Sequence, residues 1–507
     1  MLLSPAIVFF LGAYLSFLVV RYLLQHHHHR QLAKSLGCEP TTRGGGGFLG
    51  LYGFVKLSQA VKEKRWVEFI ADQYKTYGNT VRQVFLSRTI ISTIEPENIK
   101  AILATQFKEF GLGTRHREFY PLLGDGIFTL DGAGWSHARG LLRPQFARDQ
   151  VADLDLMDDH IRNLVDLIRQ NDTGASFDIQ RLFFLLTIDS ATHFLFGESV
   201  GSMVPAASSS ATGGLLEKSS VGNAQGFAEA FGTAQDYLAS RSRSQDAYWM
   251  INPQEFQDAN RRVHEVVDHY VQLALESQQD PEKKQSAGGR YIFAEALAAE
   301  TSDPKVMRDN MLNILLAGRD TTASLLSSVF FYLARNQPVW HKLRKVIIDE
   351  FGDCAHPKTE ITQTKLKDIP YLRYVLNESM FPGPLYIHSF TARVNADASS
   401  IALRLQPPVP LNFRVANKDT SLPLGGGPDQ KSPIYIKKGY AVAYSVWAMH
   451  RRTDFYGPDA HTFRPERWEE NGRHGWEYLP FNGGPRICLG RKFSFLLYPP
   501  RSQDQVC

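Results

Sequence analysis

The distribution of apolar positions changes character along the chain. From Leu2 to Leu24 runs a mostly apolar stretch of about 23 residues, long enough to span a bilayer. Arg21 lies near its far end, where a long basic side chain reaches the interface. Arg30 and Lys34 follow, and no lysine or arginine precedes the run, so the positive-inside rule puts the body of the protein in the cytosol. This predicts an N-terminal transmembrane helix over residues 1–25; the length of the run and the lack of a basic leader disfavour a cleaved signal peptide. Residues 26–49 read as a linker. His26 to His29 are expected in a solvated juxtamembrane stretch, and Thr41 to Gly47 as a flexible, glycine-rich connection.

Beyond residue 50 the periods alternate. Trp66 to Tyr77 has helical spacing, whereas Thr80 to Ile94 is rich in β-branched residues and predicts a small hairpin. Asp153 to Glu350 is mainly helical, interrupted by small and polar residues from Gly201 to Ala224 that read as a disordered surface loop. Pro433 to Val446 predicts strands around a Lys437-Lys438-Gly439 turn, with irregular chain after Trp447. The expected class is mainly α with small β-sheets. With 43% hydrophobic residues in a chain of 507, a large core is available. A net charge of +4 argues against nucleic acid as a partner and suits contact with an anionic membrane surface. The cysteines are Cys38, Cys354, Cys488 and Cys507, too sparse for a disulfide scaffold and without C-x-x-C metal spacing. Such usage fits a reducing compartment.

One of these cysteines stands in Phe481-Asn-Gly-Gly-Pro-Arg-Ile-Cys488-Leu-Gly490. A thiolate can be the axial ligand of haem iron, pushing electron density toward bound O2. Glycines around it permit a close bend. Phe481 can cover the sulfur, and Arg486 can reach an anionic haem propionate. The ten residues resemble the cysteine-ligand loop of the cytochrome P450 family, Phe-x-x-Gly-x-Arg-x-Cys-x-Gly, and the likeness extends from about residue 50 to residue 495. It implies the cytochrome P450 fold for a catalytic domain over 50–507, with Cys488 as the iron ligand of haem b.

Further segments match the same family. Trp135-Ser-His-Ala-Arg139 places Trp135 and Arg139 four apart on one helix face; the resemblance implies that both address the haem propionates. Ala317-Gly-Arg-Asp320-Thr321-Thr322 lies in an apolar helical run from Met311 to Leu333, where glycine and paired threonines suggest local widening or back-bonding. There the family implies that Gly318 leaves room for dioxygen, that Thr321 helps deliver protons, and that Asp320 feeds that relay from water. Pro465-Glu-Arg467-Trp468 implies a structural arginine, Arg467, bonded to a Glu-x-x-Arg pair on a preceding helix. That pair, Glu378 and Arg404, is split here. Joining Ser379 to Leu403 restores the one-turn spacing, and Pro382-Gly-Pro384 stops a helix. Residues 380–402 therefore read as an insertion, a retained intron or an error in the gene model. After Phe493 the family continues into a long helix, but Pro499-Pro500 cannot, so the C-terminus is expected to be truncated.

The resemblance implies a haem-thiolate monooxygenase of the endoplasmic reticulum membrane, taking electrons from NADPH through NADPH-cytochrome P450 reductase, with the surface around Lys492 a candidate dock. Pro121 to Gly132 and Phe413 to Pro428 look like the fungal branch that hydroxylates n-alkanes and fatty acids. A hydrophobic small molecule is the expected substrate, yet an apolar pocket does not distinguish an alkyl chain from a polyketide. A secondary-metabolite hydroxylase, a haem protein without turnover, and a reductase-independent isomerase or dehydratase stay open.

Overall fold

β-Branched residues build the hairpin that their pattern predicts: β1 (Thr80–Phe85) pairs antiparallel with β2 (Arg88–Thr93), Thr80 opposite Thr93. The structure is a computed structural model. It describes residues 5–45, 47, 50–85, 88–146, 155–171, 174, 176–203, 224–279, 291–353, 356–378, 404–470 and 474–490. Two compact units emerge, Met1–Gly111 with Leu411–Met449, and Leu112–Pro410 with His450–Cys507.

The first unit holds the sheets. β1 and β2 extend into five strands in the order β1-β2-β7-β4-β3, with β3 at Phe110–Gly111, β4 at Leu411–Ala416 and β7 at Ala441–Ser445. β5 (Thr420–Gly426) and β6 (Ser432–Ile436) form a separate antiparallel pair. Strands flank the Lys437-Lys438-Gly439 turn as expected, but β6 and β7 do not pair with each other. Gly439, at φ +84°, donates its N–H to the Ala416 carbonyl, which turns the chain from one sheet into the other. Buried Asn98 joins the two: its amide donates to Thr80, Thr93 and the Leu424 carbonyl and accepts from the Leu424 N–H.

The longer helices of this unit are α1 (Pro5–Ser35), α2 (Leu51–Lys62) and α3 (Trp66–Tyr77). α3 has the predicted limits. α1 does not end at residue 25, as the linker expectation required; it continues through His26–His29, because nothing in that polar run breaks a helix. His29 is not simply solvated. Its Nδ1 lies 2.8 Å from the Tyr435 hydroxyl and 3.6 Å from the Asp419 carboxylate, and burial followed by Lys437 holds its pKa below the usual histidine value. Phe9, Phe10, Tyr14, Leu15 and Phe17 of α1 are exposed. Among the described residues, no helix is long and apolar enough to cross a membrane. Nor is Thr41–Gly44 free chain: it bridges to Gly426 and to β1, with Gly44 N–H donating to the Arg82 carbonyl and Arg82 N–H to the Thr42 carbonyl. A Cβ on Gly44 would crowd Val81 and Gln83 at 3.2 Å, so the glycine lets the chain lie along the strand.

The second unit is helical. Its labelled helices are α4 (Arg115–Leu123), α5 (Gly132–Leu142), α6 (Asp155–Asn171), α7 (Ile179–Phe196), α8 (Ala224–Ser244), α9 (Gln254–Gln279), α10 (Pro304–Arg335), α11 (Gln337–Phe351) and α12 (Pro370–Glu378). α10 is the axis. Asp303 caps it by accepting from the Lys305 and Val306 N–H groups, and Pro304 occupies the first turn, where no N–H is needed. Its apolar residues belong to three cores. Met307, Met311 and Leu315 pack with Phe256, Val263 and Val267. Ala323 and Leu326 pack with Leu164, Phe183 and Leu186, and Val329 and Leu333 with Leu343, Leu372 and Leu405. Burying this many large side chains, at about 1.5–3 kcal/mol each, makes α10 the fixed reference for the site. Residues 204–223 of the expected loop, the expected insertion at 380–402 with its flanks Ser379 and Leu403, and the tail at 491–507 with Lys492 lie outside the described residues.

Candidate active site

α10 holds the segment between α4 and α5 by its backbone. Asn313, fully buried, donates its amide to the Leu123 carbonyl and accepts from the Phe128 N–H, while Asp309 accepts from the Asp125 N–H. Only glycine fits twice in this segment. A Cβ on Gly124 would lie 2.1 Å from the Asp309 carboxylate, and one on Gly126 would lie 2.3 Å from the Asn313 amide. The segment ends at Asp131, and α5 follows with Trp135 buried.

The cysteine loop docks on this platform. Arg486 donates to the Ile127 and Leu130 carbonyls and meets Asp131 Oδ1 at 2.6 Å; its guanidinium carbon lies 4.6 Å from the centre of the Trp135 ring. Arg139, one turn beyond Trp135, donates to the carbonyl of Ile487, the residue before the cysteine, at 2.7 Å. Burial lowers the Arg139 pKa, and the charge of Cys488 opposes that shift, so the guanidinium and the sulfur act on each other electrostatically. The loop closes on itself through Cys488 N–H donating to the Phe481 carbonyl at 3.0 Å. Phe481 packs with the Val329–Leu333 core and Leu489 with the Met311–Leu315 core, so the loop spans two stretches of α10. Cys488 itself is exposed. Trp135, Arg139, Arg486, Phe481 and Cys488 thus come together as one group.

Behind the loop, Glu378 at the end of α12 is fully buried and faces Arg404 in a two-pronged pair, Arg404 Nε to Oε2 at 2.8 Å and Nη2 to Oε1 at 2.7 Å. Arg467 Nε donates to Oε1 at 2.7 Å, and Trp468 Nε1 donates to Oε2 at 2.9 Å. The Arg404 N–H donates to the Asn377 carbonyl at 3.1 Å. Were Leu403 to follow Ser379 directly, that contact would be the ordinary helical bond four residues back. The pair therefore assembles across the interruption. His450 carries the link forward: its Nε2 accepts from the Leu479 N–H, which fixes the proton on Nδ1, and Nδ1 donates to the Arg404 carbonyl. Leu479 lies two residues before Phe481, so the clamp sets where the cysteine loop begins.

Mid-helix on α10, the Thr321 hydroxyl donates to the Ala317 carbonyl at 2.7 Å, the back-bonding its sequence context suggests. A Cβ at Gly318 would come no nearer than 3.9 Å to Ala191 of α7, which leaves space beside this turn. Asp320 Oδ2 accepts from the Gln235 amide of α8 at 2.6 Å. Burial raises the Asp320 pKa, opposed by Arg319 and by the Gln235 hydrogen bond, while 38% exposure of the side chain keeps it in reach of water. Asp131, Gln235 and His450 carry no motif in the sequence; their roles come from partners far along the chain.

A soft thiol beside a cationic guanidinium, on a loop braced on both sides, is a donor set that fits haem iron. Comparison with known proteins agrees. The cytochrome P450 family model matches residues 46–384 and 402–496, passing over 385–401. Cytochrome P450 52A12 of Debaryomyces hansenii is 47% identical over 499 residues, 95% of this chain and 88% of that protein. Cytochrome P450 52A5 of Candida maltosa is 46% identical over 94% of this chain and 86% of its own length. Cytochrome P450 monooxygenase g430 of a Fusarium species is 43% identical over 97% and 82%. With the Cys488 loop, its brace and the family match in agreement, the chain belongs to the cytochrome P450 family and is an enzyme of it.

Proposed function

We propose that this chain is a haem-thiolate monooxygenase that hydroxylates a hydrophobic substrate, an alkane, a fatty acid or a related chain. Electrons come from NADPH through a reductase partner at the endoplasmic reticulum membrane. The observation that carries the reading is the Cys488 loop braced by Arg139 on one side and by the Glu378–Arg404–Arg467 clamp on the other. When bound, haem supplies the redox-active iron at which O2 is activated. Cys488 provides the sulfur ligand, and Arg139 holds its neighbour's carbonyl so that the loop keeps its shape. Trp135, Arg139 and Arg486 supply the polar and cationic groups for the propionates, Arg486 through its charge more than through free donors, since it already holds Asp131. Thr321 presents a hydroxyl beside the space at Gly318, and Asp320 exchanges a proton with water to serve it. The apolar N-terminal run serves as a single-pass anchor with the catalytic body in the cytosol.

The likeness of Pro121 to Gly132 and of Phe413 to Pro428 to the fungal n-alkane and fatty-acid branch favours a chain-like substrate over a secondary metabolite. The test is expression in membranes with a reductase, followed by a CO-difference spectrum and product analysis on n-alkanes, fatty acids and aromatic polyketides. A thiolate-type Soret band with terminally oxidised chains is the expected result. Turnover confined to polyketides would replace the substrate assignment, and absence of bound haem would remove the enzymatic reading. Product formed without reductase would identify an isomerase or dehydratase instead.

A further inference from the structure

Asp320 is held by a helix other than its own. Gln235, on α8, accepts from Arg319 Nη1 at 2.7 Å through its carbonyl oxygen and donates to Asp320 Oδ2 at 2.6 Å through its amide nitrogen. The reverse orientation would set donor against donor and acceptor against acceptor, so the chemistry fixes the amide. Arg319 and Asp320 are adjacent in sequence, yet their direct approach is 3.6 Å. Gln235 bridges them. The Arg319 guanidinium lies between Phe184 of α7 and Phe231 of α8, 5.5 and 5.6 Å from the ring centres, and its Nε is buried without a hydrogen-bond partner. α8 adds Asp236 at longer range, acting on Arg319. α7 presents Phe184 and Ala191 here; its Asp189 is taken by the Ser202 and Met203 N–H groups, and its His193 by His160. A glutamate in place of Gln235 would bring a second carboxylate against Asp320, which is the chemical reason for a neutral amide.

We propose that Gln235 is a positioning residue for Asp320: it fixes the carboxylate beside Thr321 and ties its placement to that of α8. This rests on the proton role given above to Asp320. Because α8 packs against α4 and α9, whereas α10 has α7 as its main partner, any displacement of α8 is felt at the acid. The amide also favours the ionised acid, so its removal raises the Asp320 pKa further.

The test uses the full-length, haem-loaded chain with reductase, as wild type, Gln235→Met, Gln235→Glu and Asp320→Asn. Infrared titration follows the carbonyl stretch of protonated Asp320, identified by its loss in Asp320→Asn. In Gln235→Met the midpoint is expected to rise by about one pH unit, the size of a lost charge-assisted hydrogen bond. Peroxide released per NADPH is expected to rise about threefold or more. Gln235→Glu regains wild-type coupling only at a pH where the introduced carboxyl is protonated and can donate as the amide does. An unmoved midpoint with unchanged peroxide release in Gln235→Met overturns the proposal. An unchanged solvent isotope effect in Asp320→Asn overturns the acid role beneath it, whatever Gln235 does. Should Gln235→Met lose haem, Gln235→Asn with the same readouts decides, since a shortened amide cannot reach both partners.

Discussion

Replacing Glu378 by glutamine keeps the shape of the clamp and removes its charge. The carboxylate accepts from Arg404 Nε and Nη2, Arg467 Nε, Trp468 Nε1 and the Arg464 N–H, all within 3.1 Å. Every group facing it is a donor. Whichever way the new amide turns, its NH2 meets either Arg404 Nε and Trp468 Nε1 or the three donors at the other oxygen. Two guanidinium groups also stay buried with their shared counter-charge gone. Breaking a buried pair in this way costs about 3–5 kcal/mol, against a total stability of about 5–15 kcal/mol. Urea unfolding followed by tryptophan fluorescence and by the Soret band measures it. With a slope of about 3 kcal/mol per M, the midpoint falls by about 1–1.7 M, and haem is released at lower urea because His450 no longer fixes Leu479. A midpoint shift within about 0.2 M of zero, with haem retained, would refute this account of the clamp.

Deleting residues 380–402 and joining Ser379 to Leu403 is expected to preserve haem binding and to raise thermal stability, since closing a connection of that length costs about 2–3 kcal/mol; lost haem binding in the deletion would count against it. His160 is buried against His193, and burial holds its pKa down at about 4. The unfolded chain binds this proton from about pH 6.5 downward while the folded one resists it to about 4, so stability falls as pH drops through that window, by at most about 3 kcal/mol. His160→Leu should flatten the urea midpoint between those pH values, and an unaltered slope would exclude His160 as the cause. Gly483→Ala places a Cβ 2.6 Å from the Trp476 ring, so the loop must shift, at a cost of about 1–3 kcal/mol. Haem occupancy equal to wild type would show that the ring yields instead.

The local elements were legible because their causes are local. The α3 spacing, the β1–β2 hairpin and the back-bonded Thr321 follow from neighbours in the chain. The partition of strands was not legible: β7 pairs with β2 and β4, hundreds and tens of residues away, and no pattern within 441–445 announces either. At the site, motif spacing pointed to Cys488, Arg139, Glu378 and Arg467, since each belongs to a compact signature. Gln235 and Asp131 escaped notice because an ordinary polar residue gains its role only from a partner 85 or 355 positions distant. The start of the glycine-rich stretch, Thr41–Gly44, misled for a physical reason. Glycine permits freedom, and it equally permits a backbone to press against a strand.

The bond from the Arg404 N–H to the Asn377 carbonyl means that α12 and Arg404 need no covalent continuity between them. Two chain ends brought to that point make the same hydrogen bond, and the buried ion pair beside it holds them there. A single proteolytic cut between residues 379 and 403 would therefore yield two fragments that stay associated as one folded particle. They would separate on a denaturing gel and migrate together on a native one. The same position is where a foreign domain could be spliced in with the haem site left whole.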